Sequence, residues 1–150
     1  MAYVLDTDST SNFLEQGRNT SALRERVIAE TPANIYITVI TLEEILGGIL
    51  NALTKARSAP RNAQKIIFFS AKLQQFAQDL LAFQILPYDE VAEEQFKQIP
   101  APVRRKNSQD CHIAAIALSH GFTVVTSNTQ DFEKIPGVSL ADWMLEPPPL

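Results

Sequence analysis

The chain has 150 residues, 45% hydrophobic and 20% charged, with a formal net charge of −4. Those values fit one ordinary globular domain large enough to build a core without staples. A single cysteine, Cys111, excludes an internal disulfide framework and a Cys-rich zinc site, and the negative balance argues against capture of nucleic acid by a uniformly basic surface.

Along the chain, Tyr3-Val4-Leu5 is an apolar run ending in Asp6 and reads as a buried strand. "SNFLEQG" suits a short helix stopped by Gly17. Ser21 to Glu30 has helical spacing at Leu23, Val27 and Ile28, closed by Pro32. Ile35 to Ile40, β-branched and aromatic, is a second strand. A helix restarts at Thr41, and "APRNAQ" is a loop before a long amphipathic helix from Asn62 to Phe83. That helix places Ile66, Phe69, Leu73, Phe76 and Leu80 on one side. It is read either as a core helix or as an exposed apolar patch for a partner.

"FQILPYD" gives a third strand cut by Pro87, and "DEVAEEQFKQI" a helix with acids in its first turn. "PAPVRRKN" reads as a loop with three consecutive cations, Arg104, Arg105 and Lys106. An apolar helix follows, with Asp110 in its first turn and Gly121 as its stop. "FTVVT" is a fourth strand, "SNTQDFEKIPG" a loop, and "VSL" a fifth strand. Residues 1–145 read as a single domain and 146–150, "EPPPL", as a Pro-rich tail. The opening "MAYVLDTDSTS" has no basic segment followed by an apolar one, so no signal peptide is expected. No apolar run approaches the ~18 residues that span a bilayer. A cytoplasmic protein is the expectation.

Strands alternating with helices predict a three-layer α/β/α fold around a parallel sheet of four to five short strands. Ligands in open α/β folds bind at the carboxyl edge of the sheet. Asp6 ends the first strand, and Asp8 follows it. Glu44 and Asp110 each lie in the first turn of a helix, and Asp131 lies five residues beyond the fourth strand. All are expected at that edge. Carboxylates gathered there repel one another unless a cation intervenes, and hard oxygen ligands suit Mg²⁺ or Mn²⁺. Each acid also has a structural reading: a turn at Asp6 or Asp131, a dipole contact at Asp110, and a Thr41-x-x-Glu44 capping box.

The residues that carry a family resemblance are "YVLDTDS", "ITVITLEEILGG", "ILPYDEVAEEQF" and "QDCHIAAIALSHGFTVVTSNTQDFEKIPGVSLADW". Together they span nearly the whole chain, which resembles the PIN-domain proteins and, among them, the VapC-type toxin ribonucleases of bacterial toxin–antitoxin pairs. The resemblance implies a PIN-like fold and a metal-dependent endoribonuclease that uses Mg²⁺ or Mn²⁺ on RNA, tRNA included. It carries over Asp6, Glu44 (rather than Glu43), Asp110 and Asp131 as the catalytic acids. Asp6 and Asp110 would hold the metal, with Glu44 and Asp131 direct or through water. Asp8, Thr126 and Asn128 would support them, and both Asn128 and Asp131 remain candidates for the fourth position. It also implies a small VapB-like antitoxin protein that blocks the site, and a homodimer. Where the family often carries an Ile-Gly-x-x-Asp pattern, this chain has Lys106-Asn107-Ser108-Gln109-Asp110. Asn107 stands in for the glycine as a residue tolerant of positive φ or able to cap a helix.

Arg104, Arg105 and Lys106, just upstream of Asp110, are candidates for RNA phosphates. A second basic stretch, Lys55, Arg57, Arg61 and Lys65, reads as solvated surface. His112 reads as a packing or surface residue, Cys111 as a small packed residue, and Trp143 as a lid on the core edge. Two other classes compete. A phosphoacceptor receiver domain also gathers acids and Mg²⁺ at a parallel-sheet edge, with Asp89 as acceptor, but no late lysine is suitably placed. A non-catalytic PIN-like binding module would keep the fold and fail to bind Mn²⁺.

Overall fold

The computed structural model describes residues 1–15 and 21–144. Five strands, β1 (Tyr3–Leu5), β2 (Ile35–Thr38), β3 (Gln84–Leu86), β4 (Thr123–Val125) and β5 (Ser139–Ala141), form one sheet in the order β3-β2-β1-β4-β5. Every neighbouring pair is parallel, and Val4 stands opposite Tyr36 on one side and Val124 on the other. The described residues form eight α-helices. They are α1 (Thr7–Glu15), α2 (Ser21–Ala29), α3 (Val39–Arg57), α4 (Ala63–Leu81), α5 (Glu90–Gln98), α6 (Ala101–Lys106), α7 (Ser108–His120) and α8 (Thr129–Phe132). None is long and apolar enough to cross a membrane.

Successive strand residues face opposite sides of a sheet, and the core divides accordingly. Val4 and Val124 pack with Ala92 of α5, Cys111, Ile113 and Ile116 of α7, and Phe132 of α8. Leu5 and Val125 pack on the other face with Leu23 of α2, Ile45 and Ile49 of α3, and Phe76 and Leu80 of α4. This is the three-layer α/β/α arrangement expected from the alternation. Helix α7 is buried from Ile113 to Ala117, so no polar face could be spared in that stretch. Gly121 ends it at φ +69°, where the amides of Gly121 and Phe122 take up the carbonyls of Leu118 and Ala117.

The chain runs from β1 outward to β2 and β3, then returns to the other side of β1 to lay down β4 and β5. Direction therefore reverses between β1 and β4, which makes their carboxyl ends the natural crevice of the sheet. The order also differs from the 2-1-3-4-5 arrangement of flavodoxin-like receiver domains. Asp89, the residue such a reading needs, caps α5 instead, its carboxylate accepting the Ala92 amide at 3.0 Å.

Several boundaries depart from expectation. The second strand ends at Thr38, and α3 begins at Val39 rather than Thr41. The cap is Thr38, whose hydroxyl accepts the Thr41 amide at 3.3 Å. Thr41 is therefore inside the helix, no Thr41–Glu44 capping box exists, and Glu44 sits in the second turn rather than the first. The segment expected as a basic loop is the short helix α6, because a proline in the first helical turn lacks only an amide that would be unpaired anyway. The loop after β4 contains α8. The first helix begins at Thr7, ahead of the expected "SNFLEQG". Asn107 has φ −134° and no capping side-chain bond, so the turn before α7 needs neither positive φ nor an Asn cap. Gly17 and the tail at 146–150 lie outside the described residues.

Candidate functional site

The carboxyl ends of β1 and β4 lie side by side, joined by the Asp6 amide donating to the Val125 carbonyl at 3.1 Å. Asp6 is only 3% exposed. Its Oδ1 accepts the Ser9 amide at 2.8 Å, which anchors it on the first turn of α1. Burial raises its carboxyl above the ordinary carboxylate range, hydrogen bonds from Thr126 and Ser9 pull it back, and the charge of Asp8 raises it further.

Thr126 is fully buried at the end of β4 and serves two neighbours. It hydrogen-bonds Asp6, and its Oγ1 accepts the Asn128 amide at 2.9 Å. The Asn128 side chain then donates to Asp131 Oδ2 at 3.0 Å and, more weakly, to Asp110 Oδ2 at 3.4 Å. Asn128 is thus the amide that bridges two carboxylates, donating to both from one nitrogen. The Lys134 ammonium lies 3.8 Å from the other Asp131 oxygen.

Glu44 reaches the group from α3. The Thr7 hydroxyl donates to Glu44 Oε1 at 2.6 Å and lies 3.1 Å from the Thr41 hydroxyl. Each hydroxyl has one proton, so Thr41 donates to Thr7 and Thr7 to Glu44. Asp110, at the start of the buried helix α7, feels all the others. Its carboxyl is pushed up to about 6, first by burial, then by the charges of Asp6, Glu44, Asp8 and Asp131. Asp6, Glu44 and Asp131, from three separate stretches of the chain, are therefore each close enough to Asp110 to raise its carboxyl. Asp8 itself is exposed and contributes charge from the rim.

The donor set is chemically suited to a hard divalent cation, which takes carboxylate oxygens and keeps several waters. Asp110 Oδ1 and Glu44 Oε2 accept no hydrogen bond among the described residues. Within those residues no group of three or more His, Cys, Asp or Glu side chains is gathered as a ready cage. Such spacing agrees with like charges held apart.

Arg104, Arg105 and Lys106 do not meet the acids. Arg104 lies 5.6 Å over the Phe96 ring, and Arg105 and Lys106 are exposed on α6. His112 stacks on Phe96 at 4.1 Å, a packing role as expected. Burial pushes the buried Cys111 thiol up, which keeps it neutral and unreactive. Trp143 is buried edge-on to Tyr3. Thr7, Ser9, Thr41 and Lys134 were not anticipated. The hydroxyl-rich run Thr7 to Ser11 directly after a strand was the one signal available for the first two.

A family model described as "PIN domain" matches residues 3–138. The chain belongs to the PIN-domain family. This PIN domain is 30% identical, over 95% of its length and 98% of the relative's, to the tRNA(fMet)-specific endonuclease VapC of Salmonella typhimurium. It superposes on the DNA-bound VapBC structure from the same organism with a TM-score of 0.69 at 28% identity, covering 95% of this chain and 98% of that one. FitAcB from Neisseria gonorrhoeae shares the fold, with a TM-score of 0.74 at 24% identity over 96% and 99% of the two chains.

Proposed function

We propose that this PIN domain is a VapC-type toxin, an endoribonuclease that hydrolyses RNA phosphodiesters with the help of Mg²⁺ or Mn²⁺. The observation that carries the reading is the convergence of Asp6, Glu44, Asp8 and Asp131 on Asp110 at the sheet's switch point, where their charges raise its carboxyl. Asp6 and Asp110 would hold the cation, with Glu44 and Asp131 joining directly or through water. When bound, the cation supplies a more acidic water and relieves charge on the phosphate. Thr126 and Ser9 keep the Asp6 carboxylate oriented, Thr7 does the same for Glu44, and Asn128 donates to both Asp110 and Asp131. Arg104, Arg105 and Lys106 are proposed to reach RNA phosphates away from the acids.

The curated relative's name specifies tRNA(fMet), and tRNA is the substrate proposed first for this chain. A small antitoxin protein that binds near the acids and blocks them, a homodimer and a cytoplasmic location complete the reading. The test is Asp6→Asn in purified protein. Mn²⁺-dependent RNA cleavage is expected to vanish while circular dichroism stays unchanged, and undiminished cleavage would sink the assignment. Light scattering should return the mass of two chains, and co-expression with the antitoxin should restore growth of cells that make the toxin.

A further inference from the structure

The chain is acidic overall, yet its charge is strongly segregated. Between Glu44 and Asp79 there is no acid, and five of the thirteen cations lie there. That stretch is most of the antiparallel pair α3–α4. Lys55 and Arg57 end α3, Arg61 lies in the connection, and Lys65 is in the first turn of α4. All four are exposed, and among the described residues none has an ion-pair partner. The fifth, Lys72, is bridged to Glu15 at 3.1 Å.

Two adjoining hollows connect this basic tip to the acids. One, of about 260 Å³, is lined by Thr7, Glu44, Gly48, Phe69 and Lys72. The next, of about 310 Å³, is lined by Ala52, Lys55, Asn62, Lys65 and Phe69. Phe69 is common to both. Glu44, Gly48, Ala52 and Lys55 follow one another at helical spacing along α3, and a Cβ added at Gly48 would meet nothing within 4 Å. Lys72, Phe69 and Lys65 run in the opposite direction along α4. Beside this track Ile67 and Phe68 stand 70% and 59% exposed. Eleven residues at 1.5 Å each put Lys55 about 16 Å from Glu44.

We propose that the α3–α4 tip is a second contact surface for the RNA substrate, holding the strand's phosphates a few nucleotides away from the acidic site. The inference rests on the ribonuclease reading above. The chemistry favours RNA over a protein. A row of unpaired cations is complementary to a phosphate chain, and an exposed phenyl ring beside it offers a stacking face for a base. An apolar partner segment would leave those ammonium and guanidinium groups unused.

The test uses the full chain carrying Asp6→Asn, so that RNA survives, and a labelled single-stranded oligoribonucleotide read by fluorescence anisotropy. Lys55→Gln, Arg57→Gln, Arg61→Gln and Lys65→Gln are combined in one variant, its fold checked by thermal melting. Removing four cations should weaken binding on the order of 10- to 100-fold at low salt and flatten the salt slope by up to about 3. Phe68→Ala alone should weaken it roughly tenfold without changing that slope. A dinucleotide, too short to span the track, should bind parent and variant alike. Unchanged RNA affinity and salt slope in the combined variant would overturn the proposal. So would binding of a poly-glutamate peptide at the tip with no RNA binding there, which would assign the track to a protein partner. Cleavage undiminished by Asp6→Asn would instead refute the ribonuclease reading, so the two failures are distinct.

Discussion

Asp110 is held where its charge is least welcome. Burial and four neighbouring acids favour its protonated form, placing its carboxyl near 6 in the folded chain against about 3.9 for an unfolded one. A carboxyl raised on folding binds its proton more tightly in the native state. Its repulsive cost is therefore absent below about pH 4, grows as pH rises, and is fully present above about pH 6. Asp110→Asn removes that charge and keeps an oxygen for Asn128. In chelator, the variant should melt higher than the parent at about pH 7.5 and equally at about pH 4; a gain of the same size at both would show that charge is not the cause. The same substitution should abolish RNA cleavage, which separates stability from activity. Thr7 offers a complementary test. Thr7→Val keeps the shape and deletes the hydroxyl that orients Glu44, so kcat/KM on RNA should fall on the order of 10- to 100-fold, as for other groups that aim a ligand. An unchanged rate would mean that Glu44 needs no such support.

Helix α3 places Glu44 through its starting point, and that start is set by Thr38. The last pairing of β2 joins Thr38 to Leu86, after which the backbone turns and the Thr38 hydroxyl takes the Thr41 amide. Thr38→Ala should cost about 1 kcal/mol, read as a fall of about 2–4 °C in Tm. A larger loss in cleavage than in stability would place the cap's importance in aiming Glu44. The same boundary explains what the sequence could and could not reveal. Val39 and Ile40 are β-branched and continue the apolar run of β2, so they read as strand although they form the first turn of a helix. Thr41-x-x-Glu44 fits a capping box by spacing alone, and nothing local distinguishes it from a helix that began earlier. Helix α6 was hidden by Pro100 and Pro102, which look like breakers but are harmless at the cap and in the first turn. By contrast, β1, α7 and β4 were readable because burial on both faces demands uninterrupted apolar runs, and Gly121 marks a stop that only a left-handed residue makes.

The parallel sheet explains why the acids could be found without seeing them. Strand ends in such a sheet share one edge, so Asp6 and the helix start at Asp110 had to meet once β1 and β4 were recognised as strands. The resemblance pointed to Thr126 and Asn128, but the hydroxyls that hold Glu44 were not readable, since Thr7 and Thr41 meet it and each other only through long-range packing. Nor was the facing of the basic residues: Arg104 turns toward Phe96, whereas the tip of the α3–α4 pair stays free. On the metal-dependent reading proposed above, gathering repelling carboxylates at the switch point would make the fold as a whole sensitive to a divalent cation that binds only the native state. At about 100 times its Kd such an ion adds about 2.7 kcal/mol, or roughly 5–10 °C in Tm for a chain of this length. Mn²⁺ should therefore raise the Tm of the parent at about pH 7.5 and leave that of Asp6→Asn nearly unmoved. Near pH 5 the Asp110 carboxyl retains its proton and competes with the cation, so the shift should shrink. A cation effect equal at both pH values, or retained in full by Asp6→Asn, would place the ion elsewhere on the molecule.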